Sequence, residues 1–156
     1  MKAFHLTKID NLYYKDGICS KGLIPTCGER SRMIGDENIA IYFTSKYQTL
    51  PTWWLYLYPN TDLNELCVLS FEIDQDECTN HINKTEFFTN KAILPEKINL
   101  VHFYDKRSLE EIPFIYLQDD IKYYGNELYP SKVEIILEEI PIRKLTKKRY
   151  LHRQMW

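Results

Sequence analysis

The second half of the chain constrains the fold most. Short runs rich in β-branched and aromatic residues follow one another there, at 66–73, 86–89, 100–104, 114–117 and 133–137. Each reads as a strand, and polar stretches such as Asp74-Gln75-Asp76-Glu77 break them apart. The first half is mixed. Residues 2–6 and 40–44 read as strands, and a helix follows Thr7, with Asp10 near its positive end and Ile9, Leu12 and Tyr13 on one face. That helix weakens at Gly17 and ends around Gly22. Pro51 suits the first turn of a helix running to Tyr58, apolar almost all round; it is either one side of an aromatic wall or, the favoured reading, a buried helix. A short helical turn is expected at 108–111 and a turn at Tyr123-Tyr124-Gly125-Asn126; Ile140-Pro141 leaves the last strand. Helices in front and strands behind imply an α+β fold.

At 156 residues, 44% of them hydrophobic, the chain is sized for one core, so 1–156 is read as a single domain. Its 12 tyrosines suit half-buried walls where a ring packs and the hydroxyl finds a partner, whether in a cleft or in the core. The net charge of -2 argues against a dedicated nucleic-acid binder on total charge alone. Charge is unevenly spread, however. Residues 65–86 are acidic, whereas 141–156 hold Arg143, Lys144, Lys147, Lys148, Arg149 and Arg153 with no acid. That basic run either neutralises phosphates or is simply solvated.

Cys19, Cys27, Cys67 and Cys78 have neither paired spacing nor clustered histidines, which excludes a zinc site of the usual kind. The acidic run at 72–77 lacks the glycine and ligand spacing of a calcium loop, so no metal is expected. No basic stretch leads into an apolar run, and no segment approaches the ~18 apolar residues of a membrane span. A cytoplasmic protein with reduced thiols and no membrane partner is the expectation. Asn83-Lys84-Thr85 then matches a glycosylation sequon by chance.

Several residues carry chemistry. His5 and Thr7 lie two apart on one strand and share a face, which is polar where a core strand is apolar. Tyr42 offers a ring for a flat ligand. Glu134 stands in the run 133–137 with Ile136 on its own face, and burying an unpaired carboxylate costs several kcal/mol, so it needs water or a partner. Arg30 and Arg32 lie in Gly28-Glu29-Arg30-Ser31-Arg32-Met33-Ile34-Gly35-Asp36, a loop that is exposed or holds something, and their guanidinium forks suit phosphate. Singly, each has an ordinary reading: a satisfied core histidine, a strand aromatic, an edge acid. Together they suit a dinucleotide and a cationic sugar.

In this order the residues resemble a family. His5-Leu6-Thr7-Lys8-Ile9-Asp10-Asn11-Leu12 resembles the opening H-x-T-x-x-x-N-L of ADP-ribosyltransferase-fold proteins, nearest to the DarT-type nucleic-acid ADP-ribosyltransferases. Ala40-Ile41-Tyr42-Phe43-Thr44 resembles their following Y-F-[S/T] strand. Lys132-Val133-Glu134-Ile135-Ile136-Leu137, with Ile140-Pro141, is similar to their late glutamate strand. The resemblance spans about the whole chain and implies a split β-sandwich with peripheral helices that binds NAD in a cleft. It implies that His5 and Thr7 hold the nicotinamide-side ribose and that Tyr42 flanks the nicotinamide. Asn11 with Arg30 or Arg32 would place the phosphates and ribose, and Glu134 would stabilise the oxocarbenium-like charge.

The implied activity is transfer of ADP-ribose from NAD to a nucleic-acid or protein acceptor with release of nicotinamide. The basic run would help bring the acceptor, and an inhibitory partner would exist if the protein is a toxin. There are departures. Lys132 stands where many relatives carry Gln or Glu, which disfavours arginine as acceptor, and Pro51 to Tyr58 replaces a segment tied to base recognition. Two alternatives stay open. One is a catalytically silent module binding a nucleotide or ADP-ribose. The other is an NAD-dependent RNA 2'-phosphotransferase-like enzyme, which would rely on Arg30, Arg32 and a histidine rather than on Glu134.

Overall fold

Strand β1 (Lys2–Lys8) buries Ala3 and Thr7 on one face and Phe4 and Leu6 on the other, so it belongs at the centre of a sheet covered on both sides. The computed structural model describes residues 1–13, 17–26, 39–81, 83–117, 121–124, 127–130 and 134–145. Around β1 it builds one antiparallel sheet of seven strands. Their order in space is β4 (Thr79–Asn80), β5 (Glu86–Thr89), β2 (Ile41–Thr44), β1, β3 (Leu66–Glu72), β6 (Asn99–Asp105) and β9 (Ile135–Pro141). β7 (Ile121–Tyr124) and β8 (Glu127–Pro130) form a separate hairpin. The fold is thus mixed α+β, with few helices.

The two sides of β1 are joined unequally. Toward β3 the register runs unbroken from Lys2↔Glu72 to Lys8↔Leu66. Toward β2 it consists of Phe4↔Thr44 alone. The sheet is therefore continuous but has a weak seam between β1 and β2.

Apolar residues on each face gather under a helix. On one side Ala3, Phe43, Leu69 and Phe71 pack with Leu12 of α1 (Asp10–Tyr13) and Ile18 of α2 (Ile18–Lys21). On the other, Phe4, Leu6, Val101 and Phe103 pack with Leu50 and Trp53 of α3 (Leu50–Leu57). Pro51 sits in the first turn of α3, where its missing N–H has no intrahelical acceptor to lose. The helix is buried through Leu50, Pro51 and Trp53, while Leu55 and Tyr56 are exposed, so it is one-sided rather than enclosed.

Some expectations change. Residues 114–117 do not form a strand: Phe114–Tyr116 is a 3-10 turn, entered directly from Pro113. The 108–111 segment is not helical. Leu109 takes a left-handed φ of 58°, and Glu111 bridges Tyr104 in extended form. Thr7 does not cap a helix backbone, because β1 continues through Lys8; its Oγ1 instead accepts from Asn11 Nδ2 at 2.9 Å. Pro141 closes β9 instead of lying beyond it. β9 is an edge strand, and alternation from the Leu100↔Ile140 pair turns the Pro141 nitrogen to the outer side, where no ladder donor is needed. The turn expected at 123–126 falls partly in β7, with 125–126 outside the described residues.

Cys19, Cys67 and Cys78 are free thiols, and Cys27 lies outside the described residues. Among the described residues no helix is long and apolar enough to cross a membrane, and no His/Cys/Asp/Glu group could hold a metal ion.

Candidate functional site

The seam between β1 and β2 is closed by a side chain. One residue past the Phe4↔Thr44 pair, His5 Nδ1 meets the Tyr42 carbonyl oxygen at 2.6 Å. A carbonyl only accepts, so Nδ1 carries the hydrogen and Nε2 is the basic nitrogen of the neutral ring. Burial pushes the His5 pKa below its usual value, opposed in smaller part by the bond to Tyr42. The imidazole thus stands in for a ladder bond and remains neutral at physiological pH.

Thr7 and Asn11 come together two residues further on. The Thr7 side of β1 is buried, with its hydroxyl bonded to Asn11. Burial raises the Tyr58 pKa, and its contact with Thr7 partly offsets this.

Tyr42 belongs to a group of three rings. Its centroid is 5.2 Å from His81 and 5.8 Å from Phe88, and those two are 5.9 Å apart. Phe88 is its cross-strand partner on β5, so the Tyr42–Phe88 contact follows from register. Two residues along, Thr44 pairs with Glu86, which places the Glu86 carboxylate on the same sheet face as the Tyr42 ring. Glu86 is half-buried and fixed at both oxygens. Trp53 Nε1 of α3 donates to Oε1 at 2.8 Å, and Asn83 Nδ2 donates to Oε2 at 3.0 Å.

Glu134 is not part of this group. It lies just before β9, opposite Lys106, whose N–H donates to the Glu134 carbonyl. The His5 row crosses the sheet through Leu69 and Leu100 to Ile140, six residues from Glu134 on the third strand away. At about 4.8 Å per strand and 3.4 Å per residue, the two positions are roughly 25 Å apart, too far for one nicotinamide riboside. The side chain is 71% exposed and pairs with Lys106 Nζ at 2.8 Å, which answers the burial cost expected of it. Glu134 is therefore not the carboxylate of a cleft at His5. Arg30, Arg32 and Lys132 lie outside the described residues.

The sequence alone does not single out Glu86, His81 or Trp53. For Glu86 a signal existed, since Glu86-Phe87-Phe88-Thr89 reads as a strand and alternation puts Glu86 beside Phe88 on one face. Its neighbour Tyr42 depended on strand order, which the sequence does not display. Compared with protein-family models, curated proteins and solved structures, the chain has no match.

Proposed function

We propose that the chain is an NAD-dependent ADP-ribosyltransferase with an ADP-ribosyltransferase-like split sheet, its cleft at the β1–β2 seam and Glu86 as the carboxylate. The observation that carries this reading is the Tyr42–Phe88–His81 ring group sharing a sheet face with the fixed Glu86 carboxylate; the His5 imidazole, from the other face, reaches Tyr42 at its backbone carbonyl. The residues present fit the co-substrate. Tyr42, Phe88 and His81 supply ring faces for a planar nicotinamide, and Glu86 supplies an acceptor for a ribose hydroxyl with a negative charge beside it.

In the reaction, the bond from ribose to the nicotinamide nitrogen breaks and its electron pair leaves with nicotinamide. The acceptor then bonds to the same carbon and gives up a proton. A fixed carboxylate stabilises the cationic sugar between these events, and preorganised groups of this kind are worth about 3–4 kcal/mol each. The acceptor is a nucleic acid or a protein, approached through the basic C-terminal run, of which Arg143 and Lys144 lie among the described residues.

Nicotinamide release from NAD, measured alone and with DNA, RNA and cell lysate, tests the reading. Glu86→Gln keeps the shape of the site and should slow release by about 10²–10³-fold, whereas Glu134→Gln should leave it unchanged. No release from any mixture, or the reverse ranking of the two variants, overturns it. A second reading is favoured by one observation: both Glu86 oxygens are already engaged, by Trp53 and Asn83. On that reading the cleft binds a nucleotide or ADP-ribose without turning it over. Saturable NAD binding with no nicotinamide release would select it.

A further inference from the structure

β3 and β6 stop pairing before either strand ends. Their ladder runs from Ser70↔Asn99 to Val68↔Val101 and goes no further, although β3 begins at Leu66 and β6 continues to Asp105. β6 changes neighbour instead. Ile112 N–H donates to the Phe103 carbonyl at 2.7 Å, Asp105 N–H donates to the Glu110 carbonyl, and Glu111 bridges Tyr104. Leu66 N–H is taken by the Leu63 carbonyl.

Along an antiparallel strand, alternate residues turn both backbone polar groups to the same edge. The next hydrogen-bonded pair would have been Leu66 with Phe103. Its absence leaves one acceptor, the Leu66 carbonyl, and one donor, the Phe103 N–H, facing the gap with no backbone partner among the described residues. Buried backbone groups are nearly always satisfied, so a facing donor and acceptor left open mark a place where something else binds.

The gap is a cavity of about 360 Å³, within the range of small-molecule pockets. Its walls are apolar, with Leu63, Val68, Val101, Phe103 and Phe114 contributing. At the rim stand Asn64 and a histidine–carboxylate pair. His102 is 4% exposed, and its Nδ1 lies 2.9 Å from Glu111 Oε1. An ionised carboxylate only accepts, so that nitrogen carries the hydrogen, and the bond holds the 110–112 segment against β6. Among the described residues no lysine or arginine lines the cavity, and Glu111 places negative charge at the rim. A phosphate-bearing ligand is therefore disfavoured.

We infer that this cavity binds a neutral, planar heteroaromatic molecule of nucleobase size. The ligand presents a donor and an acceptor along one edge to Leu66 O and Phe103 N–H, and its faces lie between the valine and phenylalanine walls. β3 and β6 are on the far side of β1 from β2, so the site is separate from the His5–Tyr42 seam and does not rest on the NAD reading.

The test is titration of the full chain with adenine, with cytosine and with toluene, followed by amide nitrogen–proton correlation spectra. At least one base should shift the Phe103 amide saturably, and toluene, which lacks the edge groups, should leave that amide in place. Asn64 is exposed, so Asn64→Trp covers the rim without entering the core and should weaken base binding by about tenfold or more. The inference fails if neither base moves the Phe103 amide, if toluene moves it equally, or if Asn64→Trp binds as well as the parent. Shifts confined to His5 and Tyr42 would assign the bases to the seam and equally overturn it.

Discussion

Burial and a hydrogen bond pull the His5 imidazole in opposite directions, and burial wins. The pKa is lowered from the ordinary 6.5, with the Tyr42 carbonyl offsetting part of the shift. In the unfolded chain the ring titrates near its ordinary value, so below about pH 6.5 the unfolded state binds more protons than the folded one. The stability that His5 contributes is intact above that pH and is lost as the pH falls from there through the lowered folded value. His5→Asn keeps a donor for the Tyr42 carbonyl and removes the titration. Urea midpoints measured from about pH 8 to pH 5 should fall more steeply for the parent than for His5→Asn. Parallel curves would move the pH dependence to other groups and remove the half-buried neutral imidazole from the account of the seam.

At the scale of elements, Gly22 shows how a single residue ends a helix and docks a loop. It closes α2 with φ 79° and ψ -165°, and a Cβ there would run into the Ile93 carbonyl, which already accepts from Leu23 N–H at 2.9 Å. Gly22→Ala should cost roughly 1–3 kcal/mol and lower Tm by about 3–10 °C in a thermal melt; an unchanged Tm refutes the constraint. The end of this helix was legible because glycine punctuates chains for a physical reason. β1, β3, β5 and β6 were legible for another, their β-branched and aromatic composition. β4 was not, since Thr79 and Asn80 are both exposed and carry no apolar period. Phe114–Tyr116 misleads because a short apolar run looks the same in a strand as in a buried turn, and only Pro113 hints at the second. The site was half legible for the same reason. Local pattern reveals His5 and Tyr42 as strand residues, but nothing local puts β5 next to β2 and β9 at the far edge, and that order sets Glu86 near Tyr42 and Glu134 far from it.

Across the whole molecule, one carboxylate joins strands that are not neighbours. Glu139 lies on β9 opposite Val101, yet it accepts from Ser70 Oγ on β3 at 2.6 Å and from Lys2 Nζ on β1 at 2.6 Å. Its side chain therefore passes over β6 and links the edge of the sheet to the centre. Burial alone would raise its pKa, but the hydrogen bonds from Lys2 and Ser70 and the lysine charge together outweigh burial and lower it. With a folded value below the ordinary 4.5, this contribution is fully present above about pH 4.5 and is lost as the pH falls through the folded value. Hydrogen bonds to an ionised group are worth roughly 1.5–3 kcal/mol when removed, and partial exposure places this pair toward the lower end. Glu139→Gln should thus be less stable than the parent by about 1–2 kcal/mol near pH 7, with the difference closing toward pH 3 in urea titrations. A difference that stays constant over that range would mean that Glu139 acts by packing, and that β9 is held to the sheet by its ladder with β6 alone.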